Sequence, residues 1–232
     1  MSDNIIFLGH YLSYDDKYDT LCHYLYKLLC QGYPFHEGIN TYFLKHIQPD
    51  GFIKLEVLLN IFNNNTHIFK NVFQNLECSK LNENDILMIK YHPSYSKKID
   101  INKKKNFYLR SKYNHTIDII DTSLIYHYEL TNDLISKLRI CKKVHKDNLD
   151  NILLHGISNY GRKTIVLDTQ YTQHEYQELE NEEDVWKSLE IDIKSLTNDF
   201  KIYLLDDKVI LTNPEKNDFS INPSLISIYK HV

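Results

Sequence analysis

ILLHGISNYGRKTIVLD, residues 152–168, joins a helix end, a glycine loop and a strand in one short run. Upstream, Asp147 and Asn148 are candidate N-caps, and Leu149, Ile152 and Leu153 recur at helical spacing. His155-Gly156 closes that helix, because glycine takes the left-handed conformation of a C-terminal cap without steric cost. The β-branched apolar run Thr164-Ile165-Val166-Leu167 predicts a strand. Between the two, Gly161 allows close approach of backbone or ligand, and Arg162 beside it offers a planar fork suited to a phosphate.

Arg162 stands out against the rest of the chain. Of 27 basic residues only Arg110, Arg139 and Arg162 are arginine, and the other 24 are lysine. Together with the abundance of Asn, Ile and Tyr, this points to an AT-rich codon usage in which a generic surface cation is written as lysine. An arginine in such a chain is selected for bidentate geometry and permanent charge. The competing reading is an ordinary structural ion pair.

Two lobes are expected on either side of this stretch. In the first half, Asp19 or Thr20 caps a helix through about Gln31 whose buried side is Leu21, Leu25, Leu28 and Leu29, with Gly32 at its end. Residues 33–50 form a connection that holds a short helix, TYFLKHI. Pro49-Asp50-Gly51 forms a turn, followed by a very short strand and a helix carrying Val57, Leu58 and Phe62. Thr66 caps a third helix with Phe69, Val72, Phe73 and Leu76 on its apolar face. ILMIKYHP and NFYLRSKY then predict two strands joined by a polar tip, SKKIDINKKKN. Three helices and a two-stranded wing describe a winged helix. In the second half SLIYHYEL, KLRICKKV, TIVLD, SLEIDI, FKIYLL and KVILT predict strands, with Asp206-Asp207-Lys208 as a tight hairpin and the acidic run 175–184 as a solvated loop. The expected class is α+β with lobes 1–117 and 118–232.

At 42% hydrophobic and 25% charged residues the composition is that of a folded globular protein. Its net charge of −4 is uneven, since the first half is mildly basic and the second acidic. Cys22, Cys30, Cys78 and Cys141 show no paired or metal-type spacing, and the twelve histidines form no HxH or HExxH pattern. Buried free thiols in a reducing compartment are the expected state. No run approaches the ~18 apolar residues of a membrane helix, and the N-terminus lacks the basic region of a secretory leader. An intracellular protein, cytoplasmic or nuclear, is expected.

The order of these motifs resembles the RNA 2'-phosphotransferase family, NAD-dependent enzymes that complete fungal tRNA splicing, and their bacterial relatives. The resemblance runs from about Leu21 to Ile226. PDGFIKLEVLL looks like the family's Asp-Gly turn and following helix. FYLRSKYNHTI looks like its Ile-Arg-Ala-x-x-Gly-His-Ser segment, with Arg110 on the family arginine and His115 on the family histidine. NILLHGISNYGRKTIVLD places Arg162 on the second family arginine, and SLEIDIKSL, FKIYLLDDKVILT and INPSLI look like the closing strands. The resemblance implies an N-terminal winged-helix lobe that binds RNA, a C-terminal ADP-ribosyltransferase-like lobe, NAD as co-substrate and a monomer acting on RNA that carries a 2'-phosphate.

The departures from the family are also specific. The family's Arg-His pair at the end of the first helix falls on Cys30-Gln31, its His-Gly-Thr strand on Lys142-Lys143-Val144, and its His-x-His on Thr164-Ile165-Val166. Asn114 stands for the glycine before the family histidine. In the family the 2'-phosphate attacks the nicotinamide ribose, so the protein supplies alignment and charge. By that resemblance Arg110 and Arg162 clamp phosphate and His115 bonds it or moves a proton. Lys142 and Lys143 add charge to the NAD site, Gly161 admits the ligand and Tyr160, like Tyr113, stacks on a base. The missing pair equally fits a non-catalytic scaffold that binds RNA ends, a phosphorylated nucleotide or ADP-ribose.

Overall fold

The computed structural model describes residues 15–102, 107–127, 129–135, 137–169, 185–196, 199–213, 215–216 and 218–228. It is an α+β protein. The chain divides into two compact units at Lys112/Tyr113, five residues before the boundary expected from sequence. The segment after Tyr113 belongs with the second unit because the Lys163 N–H bonds to the His115 carbonyl at 2.8 Å.

In the first unit, α1 (Asp19–Gln31) buries Leu21, Leu25, Leu28 and Leu29 along one side. Burying such a side chain is worth about 2 kcal/mol. Gly32 closes α1 at φ 67°, its N–H bonded to Leu28 O. Asp19 opens the helix without capping it, whereas Asp15 caps the preceding 3-10 turn by accepting from Lys17 N. The short helix expected at TYFLKHI begins earlier, as α2 (Glu37–Leu44), because the His36 side chain accepts from Ile39 N. Next come β1 (Ile53–Lys54), α3 (Leu55–Asn64) and α4 (Lys70–Asn75). Phe69, not Thr66, precedes the first residue of α4, and Phe69 and Val72 are buried as the spacing requires.

ILMIKYHP is not a strand. It ends α5 (Glu83–Leu87) and runs into a 3-10 turn, Met88–Tyr91. A reciprocal capping box decides this: the Asn82 side chain accepts from Asp85 N, and Asp85 accepts from Asn82 N. The strand falls instead on β2 (Ile99–Asn102), inside the run read as a hairpin tip, and pairs with β3 (Tyr108–Ser111). Residues 103–106 of that run lie outside the described residues. Antiparallel pairing of β1 to the far side of β3 gives a sheet ordered β1-β3-β2.

In the second unit, α6 (Asn132–Ile135), β4 (Ile140–His145), α7 (Leu149–His155), β5 (Ile157–Ser158) and β6 (Ile165–Thr169) precede β7 (Trp186–Ile191), β8 (Lys201–Leu205), β9 (Lys208–Thr212), β10 (Ser220–Ile221) and β11 (Ile226–Ile228). Among the described residues the main sheet is antiparallel in the order β11-β7-β4-β6-β9-β8, and β5 pairs with β10. Among its described residues SLIYHYEL forms no strand: they hold part of a 3-10 turn (Thr122–Leu124), capped by Asp121, and a bridge from Glu129 to Tyr203. The acidic run 175–184 lies outside the described residues.

Alternation along the strands sorts the sheet's two faces. Ile165 and Leu167, Val209 and Leu211, and Ile202 face one core that also takes Ile152, Leu189 and Ile221. Lys201, Tyr203 and Thr212 therefore point to the other face. Gly156, at φ 87°, lets α7 approach β10, since a Cβ there would lie 2.0 Å from Ile221 O.

Candidate functional site

Arg162 is set by the turn before it. Asn159 is 1% exposed; its N–H donates to Phe219 O and its carbonyl accepts from Arg162 N, while its side chain donates to Arg162 O and accepts from Phe219 N. Tyr160 (φ 51°) and Gly161 (φ 69°) both adopt left-handed backbone between the bonded ends of the turn. This is the pattern of a type I′ turn, which glycine permits and tyrosine resists by roughly 1–2 kcal/mol. A Cβ at Gly161 would meet no atom within 4 Å, so glycine serves the backbone angle there and not packing.

The turn opens onto a cavity of about 580 Å3 on the face of β6-β9-β8 away from the core. One wall is the 116–123 segment with Asp118 and Asp121, and another is Gly161, Arg162 and Lys163. Tyr203 and Thr212 stand on the sheet, with Lys201 and Lys216 beside them. Lys163 is committed to the scaffold, its amine donating to Asp118 O at 2.8 Å and Ile120 O at 2.7 Å. Among the described residues Arg162 makes one weak side-chain bond, to Asn114 Oδ1 at 3.3 Å. Among the described residues no carboxylate pairs with Arg162, Lys201 or Lys216.

The other residues predicted as a site lie in different surroundings. Arg110, in the first unit, faces Asp100 across the β2-β3 ladder, with Nε donating to Asp100 Oδ2 at 3.0 Å. Nη1 donates to Asp50 O at 3.2 Å, and the guanidinium lies 4.4 Å from the Phe52 ring centre. Arg110 therefore ties the Asp50-Gly51 turn to the hairpin. His115, in the second unit, is 0% exposed, so its ring has no route to a solvent-borne substrate in this arrangement.

Of the four residues expected at an NAD site, Gly161 alone lines the cavity. The β4-β6 ladder stops at Cys141↔Asp168, and the Lys142 amine then takes Val166 O at 3.1 Å. Burial pushes the Lys142 pKa down, Asp168 opposes this, and Arg162 and Lys208 add to the lowering. Lys143 points to the opposite face, its amine 5.2 Å from the Trp186 ring centre. Tyr160 is 69% exposed beside the cavity's glycine. Tyr113 is buried, and burial raises its hydroxyl pKa to about 12. These residues do not converge on one pocket, and no chemical step through NAD follows from them.

Lys201, Lys216, Tyr203, Thr212, Asp118 and Asp121 were missed in the sequence. Lys201 and Tyr203 share one side of the FKIYLL strand, but nothing in the sequence ties that side to Arg162. The β6-β9-β8 register makes the link, pairing Ile165 with Leu211 and Lys201 with Thr212. Among the described residues, no group of three or more His, Cys, Asp or Glu is placed to hold a metal ion. The described cysteines are free thiols, and no described helix is long and apolar enough to cross a membrane. No family model matches the sequence, and no curated protein matches it.

Proposed function

We propose that the chain is a divergent RNA 2'-phosphotransferase-like scaffold, a winged helix followed by an ADP-ribosyltransferase-like lobe, that binds rather than turns over its ligand. The sheet order β1-β3-β2 with helices before it supports the first assignment, and the antiparallel sheet with the Gly161-Arg162 turn supports the second. The ligand is a phosphorylated nucleotide unit, free or at an RNA end. The observation that carries this is the set of Arg162, Lys201 and Lys216 around one cavity without a described carboxylate partner. A cavity of about 580 Å3 lies within the ~300–1,000 Å3 usual for small-molecule sites. Three unpaired cations favour an anion carrying more than one negative charge.

Binding outranks catalysis in this reading for two reasons. Arg110 is held by Asp100, Asp50 and Phe52, and His115 is enclosed. Cys30 and Gln31 supply no cation where the family has its Arg-His pair. Losing one preorganised donor costs about 100–1,000-fold in rate.

An RNA with one internal 2'-phosphate, incubated with the protein with and without NAD, tests this. The expected result is retention of the phosphate, together with nucleotide binding that weakens as salt rises and weakens about tenfold in Arg162→Ala. NAD-dependent loss of the phosphate, with an ADP-ribose cyclic phosphate product, would establish the enzymatic reading and make NAD the co-substrate.

A further inference from the structure

We infer that Asp121 makes the Arg162 cavity selective for a ribonucleotide with a free 2',3'-diol, with the cations holding phosphate and the carboxylate accepting from the sugar hydroxyls. The inference rests on the proposed nucleotide-binding role of this cavity and adds the identity of the sugar.

A cavity built for phosphate alone gains nothing from carboxylates, which repel it. Yet Asp118 and Asp121 line the same space as Arg162, Lys201 and Lys216. They do not neutralise those cations, since no described ion pair joins the two sets. Asp121 caps the 122–124 turn through one oxygen, and its other oxygen suits a ligand that also presents hydrogen-bond donors. A ribose with adjacent hydroxyls presents two, close enough to share one carboxylate oxygen, as in nucleotide folds where an acidic residue takes the ribose hydroxyl.

Asp121 is the better placed of the two. Its Oδ1 accepts from Ser123 N at 2.9 Å and Ser123 Oγ at 2.7 Å, which orients the carboxylate. Among the described residues Oδ2 accepts no hydrogen bond. Those serine bonds also lower the Asp121 pKa, as does the Lys163 charge, keeping the group ionised as an acceptor. The segment that carries it is held still, because Lys163 donates to Asp118 O and Ile120 O and its N–H to His115 O. Pre-setting a binding group in this way removes ordering cost on association.

Calorimetric titration of the full chain with AMP, 2'-deoxy-AMP and 3'-deoxy-AMP reads the diol directly. AMP is expected to bind at least tenfold tighter than either deoxy analogue. Asp121→Asn and Asp121→Ser both keep a capping side chain for the 122–124 turn and are expected to bring that ratio toward one while binding persists. Two further arms separate the sources of the diol: a short RNA ending in a free diol, and the same RNA ending in a 3'-phosphate. Tighter binding of the diol-ended RNA than of AMP assigns the site to RNA ends, and the reverse assigns it to free nucleotides. Equal affinity for AMP and its deoxy analogues overturns the diol inference and leaves the nucleotide cavity standing. Absence of binding by all of them overturns both.

Discussion

Arg110 and Arg162 are the same residue type, singled out by the same sequence argument, and their surroundings are opposite. Arg110 sits on a strand, 13% exposed, with a carboxylate, a carbonyl and an aromatic face around its guanidinium. Arg162 sits after a left-handed turn at a cavity, bonded only weakly to Asn114. A charge already paired in a low-dielectric setting has its interaction energy committed to the fold. A charge left unpaired beside a cavity retains it for a ligand. Scarcity of arginine identified both positions as special but did not say which kind of special each was.

The largest expected effect is on the Arg110 side. Arg110→Ala leaves Asp100, among the described residues, with the Lys112 amine at 3.8 Å and frees the Asp50 turn. Chemical denaturation should show a loss of about 2–3 kcal/mol for a half-buried pair broken on one side, with nucleotide affinity unchanged. A variant that keeps its stability but loses binding would erase the contrast and return Arg110 to the site. Next in size is Asn159→Ala, which strips the turn of its buried anchor. A drop of about 2 kcal/mol in stability is expected from the lost bonds and the backbone groups left unpaired, together with weaker binding as Arg162 loses its placement. Arg162→Ala comes third. It should weaken nucleotide binding about tenfold, or ~1.4 kcal/mol, with a stability change of no more than about 0.5 kcal/mol. Arg162→Lys should recover only part of the affinity, because an ammonium cannot form two parallel bonds to a phosphate.

The smallest effect at neutral pH is a titration that shows only in alkaline solution. Burial raises the Tyr113 pKa from 10.0 to about 12. The unfolded chain therefore gives up this proton first, and above pH 10 the folded state binds more protons than the unfolded one. The Tyr113 contribution to stability is present in full below pH 10 and is lost as the pH rises toward 12. Tyr113→Phe should flatten that part of the stability profile, as read by denaturation midpoints between pH 9 and 12. An unchanged slope would place the hydroxyl in solvent.

Much of this fold was legible in the sequence wherever local pattern and tertiary packing agree. The leucine spacing of α1, Gly32 and Gly156 as helix ends, and the strand runs at 165–169, 201–205 and 208–212 all follow from periodicity and backbone preference. The reading failed where a cap outweighed composition. ILMIKYHP is rich in β-favouring residues, but Asn82 and Asp85 start a helix just before it, and a nucleated helix continues through neutral residues. The strand then fell on IDIN, too short and too surrounded by lysine to be recognised, and formed because Leu109 aligns Ile101 on one side and Ile53 on the other.

The candidate site divides along the same line. Sequence alone determined that Arg162 follows a glycine turn between helix and strand, because glycine's backbone freedom and the β-branched run that follows are local properties. Tertiary structure alone decided what Arg162 faces. Lys201, Thr212, Asp121 and Lys216 reach its cavity through sheet register and through the hold of Lys163 on the 116–120 segment, both of which are long-range pairings. Tertiary structure likewise assigned Arg110 to Asp100, since the identity of a partner ten residues away across a hairpin depends on a register that side-chain packing sets.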